Sequence, residues 1–345
     1  MKNNNNFDFL RFLFASLVVI SHSFPLSGVL ESDQWISQVT NKQMVFSTIG
    51  LDGFFVISGY FIFQSVQKSE SILDFFKKRI SRIFPGLFVA LVLSTIFAIC
   101  FLYEGKTPWF KNLEVYTYIP YNLSMIHFQS GIKGVFDTNF YHSINGSLWT
   151  IRYEFALYVF SSFIFFFKDK INLIRWVLFI TSLFLLICFN FFLDVFAGVQ
   201  KLGFLGINVL NLGTFFVIGS LLSSFKINTI PHKKIYVFVL MILLLFAIHF
   251  YFFSNVVHVV LSFAILFFGF SPIKGIKDFG KYGDPSYGIY IYSFPIQQIL
   301  VYYFKLNAIN LCIISLSLSI IFGYLSWHLI EKKFIKRLKL NEVKR

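Results

Sequence analysis

Twenty consecutive residues, Phe84-Pro-Gly-Leu-Phe-Val-Ala-Leu-Val-Leu-Ser-Thr-Ile-Phe-Ala-Ile-Cys-Phe-Leu-Tyr103, carry no charged side chain. As a helix they extend about 30 Å, the thickness of a bilayer's hydrocarbon core. Directly before them stands Lys77-Lys-Arg-Ile-Ser-Arg82, the kind of basic flank that holds one end of a membrane helix at the cytoplasmic face. Nine other apolar segments can be drawn: Phe9–Pro25, Met44–Gln64, Ser147–Phe167, Ile174–Leu193, Leu202–Phe225, Ile235–Phe253, Val256–Phe270, Tyr287–Phe304 and Ile309–Leu329. Only 13% of the 345 residues are charged, about half the usual share of a soluble domain. Fifty phenylalanines and a mean hydropathy of +0.71 exceed what a water-soluble core of this size can hide. A cytosolic enzyme, a secreted disulfide scaffold and a disordered chain are excluded. The expected fold is all-α, a polytopic transmembrane helix bundle of about ten spans, with one membrane domain over residues 1–335 and a basic cytoplasmic tail over 336–345.

The charge balance fits that reading. Lys and Arg total 30 against 16 Asp and Glu, a formal +14. With ten spans, alternate connections carry 22 basic residues on one side and 6 on the other, while Arg11 and Arg152 lie inside spans. The asymmetry places both termini in the cytoplasm, so the positive charge reflects topology and no nucleic-acid partner is expected. Cys100, Cys188 and Cys312 all fall in apolar runs, too scattered for metal-ligand spacing. The first span resembles a signal peptide in position, yet Asp8 and Arg11 interrupt its entry and no small-residue cleavage site follows. It reads as an uncleaved helix.

Ionisable groups inside spans are costly and mark either a buried partnership or a function. Arg11 and His22 are eleven residues apart, three turns plus ~20°, so they share a helix face about 16 Å apart. Asp8 precedes Arg11 by three positions and pairs with it on that face. This is an interfacial anchor or part of a site, and His22 is an interhelical hydrogen-bonding group or a catalytic one. Asp52 lies within Gly50-Leu-Asp-Gly-Phe-Phe-Val-Ile-Ser-Gly59, whose glycines permit close helix approach. In Asn145-Gly-Ser-Leu-Trp-Thr-Ile-Arg-Tyr-Glu154, Trp149 suits an aromatic belt, while Arg152 and Glu154 sit too deep to face lipid. Arg79 and Arg82, three apart, form either an anionic-lipid anchor or a clamp for a phosphorylated ligand, for which the guanidinium fork is well shaped.

Taken together these segments resemble the membrane acyltransferase 3 family, integral-membrane O-acyltransferases of bacterial surface polysaccharides. Asp8-Phe-Leu-Arg11 running on to His22 resembles the family's opening helix, and Gly50–Gly59 its Phe-Phe-x-x-Ser-Gly element. Lys78-Arg79-Ile-Ser-Arg82-Ile-Phe-Pro85 resembles the basic motif before the third span. Ser147-Leu-Trp149 with Glu154 and Tyr158 is similar to a further signature, as are Gly283-Asp-Pro-Ser286-Tyr287-Gly-Ile-Tyr290-Ile-Tyr292 and Ile330-Glu331-Lys332. Six motifs fall in order along nearly the whole chain. Where relatives often carry a late histidine this chain has Ser293, which concentrates the weight on His22. Lys333 stands where a proline is usual.

The resemblance implies a multi-pass enzyme of the bacterial inner membrane that passes an acyl group, acetyl from acetyl-CoA, to a hydroxyl of a surface polysaccharide or its lipid-linked precursor. No metal is expected. His22 is the expected base, with Asp52 or Glu154 orienting its ring. Arg11, Arg79 and Arg82 would meet the phosphates of the acyl-CoA, and Arg152 or backbone dipoles the oxyanion. Asp8, Trp149, Ser286, Tyr287, Tyr290 and Glu331 would support substrate or structure, with membrane lipids around the whole. The alternative from a different class is a transporter or flippase for lipid-linked glycan, in which the buried charges line a polar path.

Overall fold

The computed structural model describes residues 5–336. The described residues include thirteen α-helices: α1 (Phe7–Leu26), α2 (Trp35–Val39), α3 (Phe46–Lys68), α4 (Ile72–Phe97), α5 (Leu113–Leu123), α6 (Trp149–Ser162), α7 (Ile171–Phe191), α8 (Leu193–Phe196), α9 (Gly206–Ser224), α10 (Lys233–His249), α11 (Phe253–Gly269), α12 (Ser286–Phe304) and α13 (Ala308–Ser326). The described residues add one two-residue antiparallel pair, β1 (Gln200–Lys201) with β2 (Phe204–Leu205). Among them, seven helical stretches are long and apolar enough to cross a membrane: Phe7–Leu26, Phe46–Lys68, Ile72–Leu102, Gly146–Phe167, Ile171–Phe191, Gly206–Ser224 and Ala308–Lys336. The other three expected spans form α10 and α11, of 17 residues each, and α12, of 19. Gln297, Gln298 and five tyrosines make α12 less apolar than its neighbours. Beyond Lys336, the expected basic tail lies outside the described residues.

Two boundaries differ from the sequence reading. The basic motif before the third span is not a separate connection, because α4 runs unbroken from Ile72 through Pro85. The proline removes one backbone donor, and the rest of the ladder carries the helix past it. The break between the seventh and eighth expected spans falls at Phe250–Phe252 rather than at Ser254 and Asn255. Tyr251 adopts the left-handed conformation (φ 61°) and the Phe252 amide donates to the Ala247 carbonyl. That pattern satisfies the last carbonyls of α10 and stops it.

The chain divides into two compact units: Met1–Phe14, Trp35–Phe75 and Tyr153–Tyr282 in the first, and Ala15–Gln34, Phe76–Arg152 and Gly283–Arg345 in the second. In the first unit α3 and α9 pack backbone to backbone. A Cβ on Gly59 would stand 2.0 Å from the Phe216 carbonyl oxygen, and one on Gly219 would stand 2.3 Å from that of Val56. Ser220 Oγ donates across this seam to the Gly59 carbonyl at 3.0 Å. Small residues permit such contact, and dispersion rather than water exclusion rewards it inside lipid. Asn6 Nδ2 donates to the Phe268 and Ser271 carbonyls at the end of α11, where helix carbonyls otherwise lack partners. On α7, Trp176, Ile180, Phe184 and Phe191 stand exposed in one stripe, a surface that suits lipid and not water.

The second unit centres on α12 and α13. A Cβ on Gly288 would stand 2.7 Å from the Gly323 Cα, so this pair also meets through glycine. Buried Gln297 points its amide at the Val19 carbonyl, Ser23 Oγ and Ser315 Oγ, at 2.8, 2.9 and 3.2 Å. Gln298 donates to the Tyr141 and Ser143 carbonyls and receives Asn139. Gln297 thereby ties α12 to α1 and α13, and Gln298 ties it to the long connection before α6. In hydrocarbon, a backbone group left unpaired costs several kcal/mol, which explains why amides sit at the centre of an apolar helix.

Candidate functional site

In the second unit, His22 stands one turn before the end of α1, which carries Pro25 in its last turn. Gly28 adopts φ +82° and the Val29 amide returns to the Phe24 carbonyl at 3.0 Å, so the chain reverses. The following helical turn, Glu31–Asp33, comes back against α1. Ser21 Oγ donates to the Glu31 carboxylate at 2.6 Å and receives Gln34 Nε2 at 2.8 Å. Glu31 is thereby held on the residue that precedes His22 in α1. Ser147 Oγ lies 3.5 Å from His22 Nδ1, and the Phe294 ring packs edge-on against the imidazole with centroids 5.6 Å apart.

Ser147 is itself held from three directions. It sits in the turn Gly146–Leu148, whose preceding residue Asn145 accepts the Ser147 amide and donates its own amide to the Ile291 carbonyl at 2.8 Å. Tyr290 donates its hydroxyl to the Ser147 carbonyl at 2.7 Å, and Thr150 Oγ1 closes on the same tyrosine oxygen. With its one proton on the carbonyl, Tyr290 is the acceptor in the second contact. The Ser-Leu-Trp motif and the late tyrosine motif thus meet behind the histidine.

A second cluster in the same unit gathers around α4. Arg82 Nη2 lies 3.1 Å from Asp284 Oδ2, with the arginine side chain 39% exposed and the aspartate 11%. The other Asp284 oxygen accepts the Ser286 amide at 3.2 Å and its hydroxyl, and so gives the first amide of α12 a partner. Tyr287 donates to the Ile83 carbonyl at 2.8 Å. Its ring lies 3.0 Å from where a Gly86 Cβ would stand, and Glu331 Cγ 3.6 Å. Glu331 is buried and accepts Ser326 Oγ at 2.7 Å. The predicted residues Arg82, Ser286, Tyr287 and Glu331 therefore form one neighbourhood. Arg79, three residues before Arg82 on the helix, is half-buried. Arg152 lies over the Phe128 ring at 5.6 Å and Trp149 opens α6.

The first unit holds the remaining candidates. Asp8 and Arg11 pair at 3.1 Å, with Arg11 over the Phe61 ring at 5.2 Å. Glu154 accepts Ser58 Oγ at 2.8 Å and the Tyr158 hydroxyl, which joins the Ser-Gly element of α3 to α6. Asp52 accepts Asn211 Nδ2 at 2.9 Å, and Asn211 Oδ1 lies 2.9 Å from His258 Nε2. An amide oxygen only accepts, so His258 carries its proton on Nε2. His258 is wedged between the Phe189 and Phe215 rings, with centroids at 4.4 and 4.5 Å. The two carboxylates that the sequence offers to His22 thus have neighbours of their own in the first unit.

Sequence reasoning missed Glu31, Asp284, Asn211 and His258. Asp284 stands inside a motif already quoted, and an Asp-Pro-Ser opening before an apolar run is itself a helix-start signal. Glu31 leaves no periodic trace, because its approach to His22 depends on the reversal at Gly28. Among the described residues no three His, Cys, Asp or Glu side chains gather as a metal site. The arrangement suits proton transfer at His22 and anion binding near Arg82.

Comparison with known proteins identifies the family of the chain. The sequence model of the acyltransferase 3 family, described as an acyltransferase domain, matches residues 4–328. A protein named O-acetyl transferase from Shigella phage Sf6 is 26% identical across 98% of both chains. Nodulation protein 10 of Rhizobium leguminosarum bv. viciae is 30% identical over 46% of this chain and 43% of its own. No solved structure gives a significant match.

Proposed function

Because the chain belongs to the acyltransferase 3 family and is an acyl-transferring, multi-pass membrane enzyme, we propose that it moves acetyl from acetyl-CoA to a hydroxyl of a bacterial surface glycan or of its lipid-linked precursor. The contact of Ser147 with His22, with Glu31 held on the adjacent Ser21, supports this reading. With the His22 Nδ1 proton donated to Ser147 Oγ, the Nε2 lone pair is left to take a proton from the acceptor hydroxyl. The hydroxyl oxygen bonds to the thioester carbonyl carbon, the carbon–sulfur bond breaks, and the departing thiolate takes the proton from the imidazolium. Glu31, held on the adjacent Ser21, steadies that cation, as a carboxylate does in triads. Asp52 and Glu154 act as positioning residues for α3, α6 and α9.

The donor's phosphates meet Arg79 and Arg82. Arg82 uses one nitrogen on Asp284 and keeps further donors, since a guanidinium carries five. The enzyme lies in the bacterial inner membrane with ten crossings and both termini in the cytoplasm, a reading supported by the 22-to-6 distribution of basic residues.

The test is mass spectrometry of surface glycan from cells carrying His22→Ala or Glu31→Gln, with each protein's abundance checked by immunoblot. His22→Ala is expected to lower acetylation by about 10²–10⁴-fold, the usual contribution of a general base, and Glu31→Gln by less. Undiminished acetylation in His22→Ala overturns the role of His22. Loss of the glycan itself from the surface points instead to the transporter reading.

A further inference from the structure

The first unit contains a recess that the reaction does not use. It lies between the end of α6, α7 and α9 and encloses about 590 Å³, within the ~300–1,000 Å³ of ligand pockets. Its walls are hydrocarbon, with Leu157, Ile164, Val177, Leu185 and Phe216 among them, and three hydroxyl residues. One of these, Ser220, is engaged on the Gly59 and Phe216 carbonyls. Such a lining orients no polar ligand. It accepts a chain of methylenes.

Three observations specify the occupant. Along α7 the lining runs from Leu173 to Leu185 and along α9 from Val209 to Ser220, about 18 and 16 Å at the helical rise. That is the depth of one leaflet, half of a ~30 Å hydrocarbon core. One end of the recess, at Phe167, Leu173 and Ile174, is bordered by Lys168, Lys170 and Arg175, against a single Asp169. Lys168 is held by the Ser69 carbonyl at 2.9 Å, and Arg175 by the Ser224 carbonyl at 2.8 Å and the Phe225 ring. None of these contacts cancels their charge. At Gly213, in the lining, an added Cβ would meet only Leu185 Cδ1 at 3.9 Å. Unlike Gly219 on the same helix, this glycine serves no helix contact. Its missing side chain leaves space.

We propose that the recess binds one acyl chain of an anionic phospholipid, with the phosphate at Lys168, Lys170 and Arg175. A polyprenyl chain of a glycan carrier is longer than the recess is deep. The proposal stands independently of the acyl-transfer reading.

The test is native mass spectrometry of the full chain released from vesicles of phosphatidylglycerol, phosphatidylcholine or phosphatidylcholine doped with undecaprenyl phosphate. The wild type is expected to retain one phosphatidylglycerol at least tenfold more often than phosphatidylcholine. Gly213→Leu, which fills the recess, should lose that lipid. The pair Lys168→Gln and Lys170→Gln, on outlying side chains, should reduce retention to the phosphatidylcholine level. Equal retention of the two phospholipids by the wild type, undiminished retention in the lysine pair, or preferential retention of undecaprenyl phosphate would each overturn the assignment.

Discussion

Gly213 and Gly219 lie six residues apart on α9, and a helix propensity scale treats them alike. Alanine at either position should gain about 0.4–1 kcal/mol through lost freedom of the unfolded chain. At Gly213 nothing offsets that gain, since the nearest atom to a new Cβ is Leu185 Cδ1 at 3.9 Å. At Gly219 the new Cβ falls 2.3 Å from the Val56 carbonyl oxygen and 3.2 Å from the Tyr60 amide nitrogen. Ordinary contact begins near 3.4 Å, so α3 and α9 must part by about 1 Å, and the obstacle is backbone that no rotamer change relieves. Overpacking of this kind costs about 1–3 kcal/mol. Gly219→Ala should therefore be destabilised by about 1–2 kcal/mol net, while Gly213→Ala is stabilised by up to ~1 kcal/mol. Thermal unfolding in detergent, followed by size-exclusion fluorescence, measures both on one scale. Equal shifts of the two variants, or a loss at Gly213 larger than at Gly219, would refute the close-approach argument for the α3–α9 seam.

Other predictions concern the second unit. Arg82 and Asp284 form a partly buried pair, between exposed pairs worth ~0.2–1 kcal/mol and fully buried ones whose disruption costs ~3–5 kcal/mol. A double-mutant cycle with Arg82→Ala and Asp284→Ala, read by unfolding, should give a coupling of about 1–2 kcal/mol; zero coupling would leave the contact without energetic meaning. The same Asp284→Ala change should weaken acetyl-CoA binding several-fold in a ligand-stabilisation assay, because Arg82 loses its orientation. Gly28→Ala should cost more than its surface position suggests, about 1–2 kcal/mol for the left-handed backbone, with a further clash against the Phe140 ring 2.4 Å from the new Cβ. Since Gly28 turns Glu31 back toward His22, glycan acetylation in Gly28→Ala should fall in step with Glu31→Gln, and full activity there would separate Glu31 from the reaction.

Much of the site was legible because the chemistry sits in short local patterns. Arg79 and Arg82 share a helix face by spacing alone, and the pairing of Asp8 with Arg11 follows from an interval of three residues. The late motif pointed to Ser286, Tyr287 and Tyr290, all on α12; Ser286 bonds within that motif to Asp284, while Tyr287 and Tyr290 reach the basic and Ser-Leu-Trp motifs. Glu31 was not legible. Its approach to the histidine rests on one glycine's positive φ and on a serine within α1, neither of which has periodicity to detect. Asn211 and His258 come together from helices separated by α10, and apolar runs give no register between helices.

The amino-acid sequence by itself determined that this chain lives in lipid. Hydropathy and charge are sums over neighbours along the chain, and lipid imposes its penalty on each segment separately. The sequence also set which charged groups had to find partners. Which partners they found was decided by tertiary structure alone: Asp52 with Asn211, Glu154 with Ser58, Arg82 with Asp284. Those choices depend on the rotation and approach of one helix against another. That is set by where glycines let backbones touch, and touching is a property of two segments, which neither segment carries alone.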